Sequence, residues 1–225
     1  MKYLLIIIFL FLGTQIFSKE MNVPQSGEIA FEIIRKNKNI GSHTISFSKN
    51  NEILQVNIDV NINVKLGFLT IYKYRHKNTE YWKDGRLMKI STNSLTNSKK
   101  EYFVEGQKNN DFFEYEGVDN IKKTGLDIIP ISYWNYEILD RDVFLDSQKG
   151  ILREFDLNEI KIENIFFNNE NFKTKKYMMK VKTLHPSDEK PFPNLYLWYT
   201  DKGELMKLEF DSPEDKSIIT YKRIK

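Results

Sequence analysis

The sequence predicts an all-β fold: a single curved antiparallel sheet or β-barrel-like domain with one short helix. Three observations carry that expectation. Apolar and polar residues alternate from Leu54 to Lys65. Turn-forming pairs recur between short apolar runs, Asp84-Gly85 foremost. Helical spacing of apolar residues stands out in one segment, around Trp134. Period two belongs to a strand with one wet and one dry face, and evenly spaced turns belong to a sandwich or barrel.

The N-terminus predicts export. Lys2 supplies a positive start, Tyr3 to Leu12 form an apolar run, and the chain turns more polar up to Ser18. This is the layout of a secretory signal peptide, and the run is shorter than the roughly 20 residues of a spanning helix. Residues 1–18 are therefore expected to be a cleaved signal, with a retained anchor as the alternative, and 19–225 a single β-barrel-like domain in the periplasm or secreted. No stable transmembrane segment is expected after cleavage. The chain has no cysteine, so no lipid anchor, disulfide framework, thiolate metal site or cysteine nucleophile is expected. Its fold must rest on a core, and aromatics make up 14% of the chain to build one. A net charge of +3, with both signs interspersed, argues against nucleic acid as a partner.

The elements follow in order. Ile29, Phe31 and Ile33 alternate before Asn37-Lys38-Asn39, and Ile45 and Phe47 before Asn50-Asn51. In the clearest strand Leu54, Val56, Ile58, Val60, Ile62 and Val64 share one face. Asp84-Gly85 predicts a hairpin between Tyr81-Trp82 and Leu87-Met88,. Ile131, Trp134 and Ile138 follow Pro130 at near-helical spacing, which predicts a helix of two or three turns closing one barrel end,. Ile160 and Ile162, then Tyr177, Met179 and Val181, then Ile218 and Thr220 supply further strands. Asp201-Lys202-Gly203 predicts a second hairpin, between Leu195–Tyr199 and Leu205–Phe210.

Several of these landmarks, taken in order, carry a resemblance. They are Ile40-Gly41-Ser42-His43, Tyr72–His76 followed by Glu80-Tyr81-Trp82-Lys83-Asp84-Gly85-Arg86-Leu87, Ser132-Tyr133-Trp134-Asn135 after Pro130, and Leu197-Trp198-Tyr199-Thr200-Asp201-Lys202-Gly203. From Gly27 to the C-terminus the chain resembles an uncharacterised family of exported bacterial proteins, the domain of unknown function 6134. The resemblance implies an all-β envelope protein without an assigned activity. The family pattern reads Trp-Tyr-Asp where this chain has Trp198-Tyr199-Thr200-Asp201, so a turn one residue longer is expected here.

Chemistry is sparse. No Gly-x-Ser-x-Gly, His-Glu-x-x-His, phosphate loop or Gly-x-Gly-x-x-Gly occurs,. His185 precedes Pro186 in a polar stretch and reads as a solvated loop residue,. His76 and Glu80 share a strand face but stand about 13 Å apart at about 3.3 Å per residue, too far to bind one metal. Neither a metal nor a cofactor is expected.

Parity yields the candidate site. Lys73, Arg75, Lys77 and Lys83 occupy odd positions and should face water, which turns Thr70, Tyr72, Tyr74, His76, Glu80 and Trp82 inward. His43 shares the inward parity of Ile45 and Phe47. Either these polar groups satisfy one another and fix the fold, or His43, Tyr74, His76, Glu80 and Trp82 line a pocket, with Trp134 closing it and Trp198 at its rim. The pocket would hold a lipid-like or other hydrophobic small molecule. A structural or assembly role in the envelope is the alternative, and catalysis by His76 with Glu80 is the least supported.

Overall fold

A computed structural model describes residue 21, residues 23–97 and residues 99–225. The expected signal segment 1–18 lies outside the described residues. Among the described residues fourteen strands form one antiparallel sheet: β1 (Glu28–Arg35), β2 (Lys38–Asn50), β3 (Ile53–Leu66), β4 (Leu69–Lys83), β5 (Arg86–Thr96), β6 (Lys100–Lys108), β7 (Phe113–Gly117), β8 (Asn120–Thr124), β9 (Val143–Leu145), β10 (Leu152–Phe167), β11 (Glu170–Val181), β12 (Leu195–Thr200), β13 (Leu205–Asp211) and β14 (Ile218–Arg223). Their order is β8-β7-β6-β5-β4-β3-β2-β1-β14-β13-β12-β11-β10-β9. Each half is a meander, and the halves meet where β1 pairs with β14.

The alternation predicted for β3 is realised side chain by side chain. Leu54, Val56, Ile58, Val60 and Ile62 are buried, while Asn57, Asn61 and Asn63 are exposed. Asp84 and Gly85 adopt φ of 51° and 72° and close the β4–β5 hairpin as a primed turn,. The β1–β2 turn falls at Lys36-Asn37, one residue earlier than the asparagines suggested, because both residues take positive φ there. The β12–β13 turn runs over residues 201–204, and the ladder beside it slips between Trp198 and Tyr199, opposite Lys207 and Leu205, which leaves Met206 of β13 as the residue without a partner.

All neighbours are antiparallel, so the turns alternate between two ends. The β3–β4 turn marks the upper end, and the β4–β5 turn and both ends of the described domain mark the lower. The edges β8 and β9 do not pair with each other. They approach at the upper end, where Val118 N–H donates to Lys149 O at 2.9 Å. Gly117 and Gly150 make this approach possible: a Cβ on Gly117 would stand 2.3 Å from Lys149 O,.

The segment between β8 and β9 runs through the concave side. Ile128, Ile129, Ile131, Trp134 and Ile138 are all buried there. Its helix is shorter than the spacing predicted, a single 3-10 element at Tyr136–Asp140 capped by Asn135, whose side chain accepts from Glu137 N–H. Long-range partners override the helical pattern. Tyr133 takes φ of 64°, and its carbonyl accepts from Tyr199 Oη at 2.6 Å.

Candidate functional site

The inward parity of β4 holds from Tyr72 to Trp82, whereas Thr70, also expected inward, is exposed, beyond a register shift between Val64 and Lys65. His76, Asn78, Glu80 and Trp82 are buried, whereas Lys73, Arg75 and Lys77 are exposed. At the lower end of this face Glu80 is completely enclosed. Its Oε2 accepts the indole N–H of Trp82 at 2.9 Å and that of Trp134 at 3.0 Å, and its Oε1 accepts from Asn78 Nδ2 at 2.8 Å. Burial pushes the Glu80 carboxyl above its ordinary range, while the donors from Trp134, Trp82, Asn78 and Ser132 hold it back,. The rings of Trp82 and Trp134 meet edge to face, and Phe47 packs edge-on against Trp134.

This corrects one expectation. Glu80, Trp82 and Trp134 do not line a pocket: they fill the interior at 0%, 0% and 3% exposure. The buried carboxylate accepts from three N–H donors, with the Ser132 hydroxyl adding to them, which makes the cluster a structural lock,.

Higher on the same face the surroundings change. His43 pairs across the ladder with Val60, Val60 with His76, and His76 with Ser94. The His43 ring stands 5.7 Å from Phe31 and 5.6 Å from Tyr221, and neither of its nitrogens has a hydrogen-bond partner among the described residues. Burial depresses its pKa to about 3, with His76 adding to the effect. The same cause holds His76 at about 4, against the opposing pull of Asp146 and Asp59. Both imidazoles are therefore neutral near neutral pH.

His76 Nδ1 lies 2.7 Å from Ser94 Oγ. This histidine–serine contact was not foreseen from the sequence. Ser94 has no exposed surface, so its hydroxyl is closed to a substrate, and the neighbouring imidazole is a weak base. Tyr74 stacks over His76 at 6.4 Å. Above them Val64, Tyr72, Tyr74 and Phe210 are only partly buried against the core. Three of the seven candidates, His43, Tyr74 and His76, thus share an upper region of this face, separate from the lock below.

Trp198 joins neither group. It lies on the opposite face of β12 from Leu197 and Tyr199, which belong to the core. Lysines 176 and 207 lie over its ring at 4.5 Å each, and its indole N–H donates to Glu163. Lysine stems bury it at 1% exposure on the convex side,, so it is not at a pocket rim.

His185 is likewise tied down, 3.0 Å from Asp119 and 2.9 Å from Ser187. It sits on the loop between β11 and β12, which straps the upper end across the seam. Asp188 on that loop accepts from Arg153 at 2.7 and 2.8 Å and from Lys149 at 2.7 Å, and Arg153 also donates to Asp146 at 2.7 Å. Among the described residues no group of three or more His, Cys, Asp or Glu side chains is placed to hold a metal ion. No described helix is long and apolar enough to cross a membrane.

Comparison with known proteins agrees with this architecture. The family model for a domain of unknown function, DUF6134, matches residues 31–224. No curated protein matches the chain. A crystal structure of a β-barrel-like protein of the domain of unknown function DUF1849, from Brucella abortus, is similar with a TM-score of 0.62 at 8% identity, over 88% of this chain and 95% of that one. At that identity the likeness concerns the fold alone.

Proposed function

We propose that this protein, which belongs to the DUF6134 family, is an exported envelope protein that holds a lipid-like or other hydrophobic molecule in the upper half of its concave face. The observation that carries the reading is His43, buried with both ring nitrogens unpartnered beneath the half-buried Tyr72 and Tyr74. A buried polar atom without a partner costs about 1–3 kcal/mol. A neutral imidazole between aromatic walls suits a ligand with an apolar body and an uncharged hydroxyl or amide, since neutral imidazole both donates and accepts. An anionic head would find no protonated histidine here.

Export is supported by the N-terminal pattern of charge, apolar run and small residue,. N-terminal sequencing of the protein recovered from its own cells tests this, with a start near Lys19 expected and an intact Met1 contrary to it.

The packed Glu80–Trp82–Trp134 lock favours a second reading, an envelope scaffold with a filled interior. Titration with an apolar fluorescent probe separates the two. The ligand reading expects saturable binding that Tyr72→Ser and Phe210→Ser weaken without loss of fold. Absence of saturable binding by the wild type would leave the scaffold.

A further inference from the structure

β3 and β4 outrun their neighbours. β2 follows β3 no further than Ile62, and β5 follows β4 no further than Tyr74. Asn97, just past β5, still bonds both backbone groups of Lys73; beyond it the two strands continue without a further ladder neighbour, through Val64↔Tyr72 and Leu66↔Leu69, to a two-residue turn at Gly67-Phe68. Four residues past Ile62 amount to about 14 Å of projecting ribbon. Gly67 takes φ of 59°, and no described residue lies within 4 Å of a Cβ placed on it.

The finger carries an apolar tip. Leu66 and Leu69 are each 70% exposed, Ile71 is 54% exposed, and Phe68 is fully exposed. Four large apolar side chains on one protruding turn are unlike the isolated apolar residues of an ordinary surface. A two-stranded ribbon with an uncovered apolar end is also marginal in water by itself. The flanks are basic. Between Asp59 and Glu80 the chain carries Lys65, Lys73, Arg75 and Lys77 and no carboxylate, and all four are exposed.

We propose that the β3–β4 finger inserts Phe68 and its neighbouring leucines into the surface of an anionic lipid bilayer, with Lys65 and Lys73 seated among the headgroups. Apolar residues at a tip with cations behind them match the layers of a membrane interface: acyl boundary first, then negative headgroups. Insertion would set the upper end of the concave face against the leaflet, beside Val64 and Tyr72. The inference stands on the finger alone and does not require a ligand on the concave face.

The full chain contains no cysteine, so a single engineered one labels a single place. Phe68→Cys carrying an environment-sensitive dye is compared with Phe166→Cys. Phe166 is 68% exposed near the β10–β11 turn at the lower end, the end at which β1 begins and β14 finishes. With vesicles of phosphatidylglycerol and phosphatidylcholine in equal parts, the dye at position 68 should shift to the blue and the dye at 166 should not. Vesicles of phosphatidylcholine alone should give a weaker shift. Lys65→Glu with Lys73→Glu should lower the apparent vesicle affinity about tenfold or more, with unchanged thermal unfolding. A shift at 166 alone or equally at both sites would place the contact elsewhere and overturn the proposal. No shift at either would do the same. A concentration-dependent shift at 68 without vesicles would point to a second copy of this chain as the partner, and would also overturn it.

Discussion

The indole rings of Trp82 and Trp134 meet edge to face, 5.6 Å between centroids at 89°, and both donate to the same oxygen of Glu80. One belongs to the sheet and the other to the segment threaded through it. The carboxylate is thus the point at which the internal segment is fastened to the wall.

Replacing that carboxylate separates shape from charge. In Glu80→Gln the amide oxygen still accepts both indoles, and its NH2 faces Asn78, whose Oδ1 has no partner at present. Rotation of the Asn78 amide lets it accept instead of donate. Glu80→Gln should therefore cost only about 1 kcal/mol or less, whereas Glu80→Ala leaves three buried donors bare and should cost at least about 3 kcal/mol. Urea denaturation of the two variants checks this; equal losses would mean that the charge itself matters.

The two faces of β3 give a second contrast. Val60 is 7% exposed and lies between His43 and His76, while Asp59 faces outward beside Asn61 and opposite Lys77. Val60→Asp buries an unpaired carboxylate and should destabilise severely, while Asp59→Val should stay within about half a kcal/mol. Matching urea midpoints for the two variants would refute the assignment of faces.

The buried imidazoles set a pH dependence. Both are depressed, His43 to about 3 and His76 to about 4. Below the ordinary pKa of about 6.5 the unfolded chain takes up protons that the native state refuses. Stability should therefore be full above that value and fall as pH drops toward 4. The slope should approach about 1.4 kcal/mol per pH unit for each histidine. The raised Glu80 carboxyl acts with the opposite sign, since the native state takes its proton earlier. His43→Phe, in its aromatic surroundings, should flatten the curve by one proton. A stability profile that stays level on acidification would contradict the burial of neutral histidines.

Strand identity was legible wherever one face is wet. In β3, and in β4 from Lys73 to Lys83, alternation of polar and apolar residues reveals which side chains turn inward, and Glu80 and Trp82 follow from it. Trp198 shows where that signal ends. Leu195, Leu197, Trp198 and Tyr199 are buried on both faces of β12, because lysine stems cover the convex side, and alternation cannot then say which way a tryptophan points. Ser94 and Asn78 are small polar residues whose inward parity carries no hydrophobic mark, so the His76–Ser94 contact escaped notice. The strap through Asp188, Arg153 and Asp146 joins residues from distant parts of the chain, and no local pattern announces such a pairing. Helical spacing around Trp134 misled for the related reason that Glu80 and Tyr199 hold that segment from outside it.

Native mass spectrometry of the protein purified from its own cell envelope tests the ligand reading most directly. The expected result is a released molecule with an apolar body and an uncharged polar group, bound in one-to-one ratio and lost in Tyr72→Ser and Phe210→Ser while those variants remain folded. A wild-type protein that arrives at its bare chain mass, and that also fails to take up an apolar probe, would contradict a ligand chamber and leave the filled scaffold in its place.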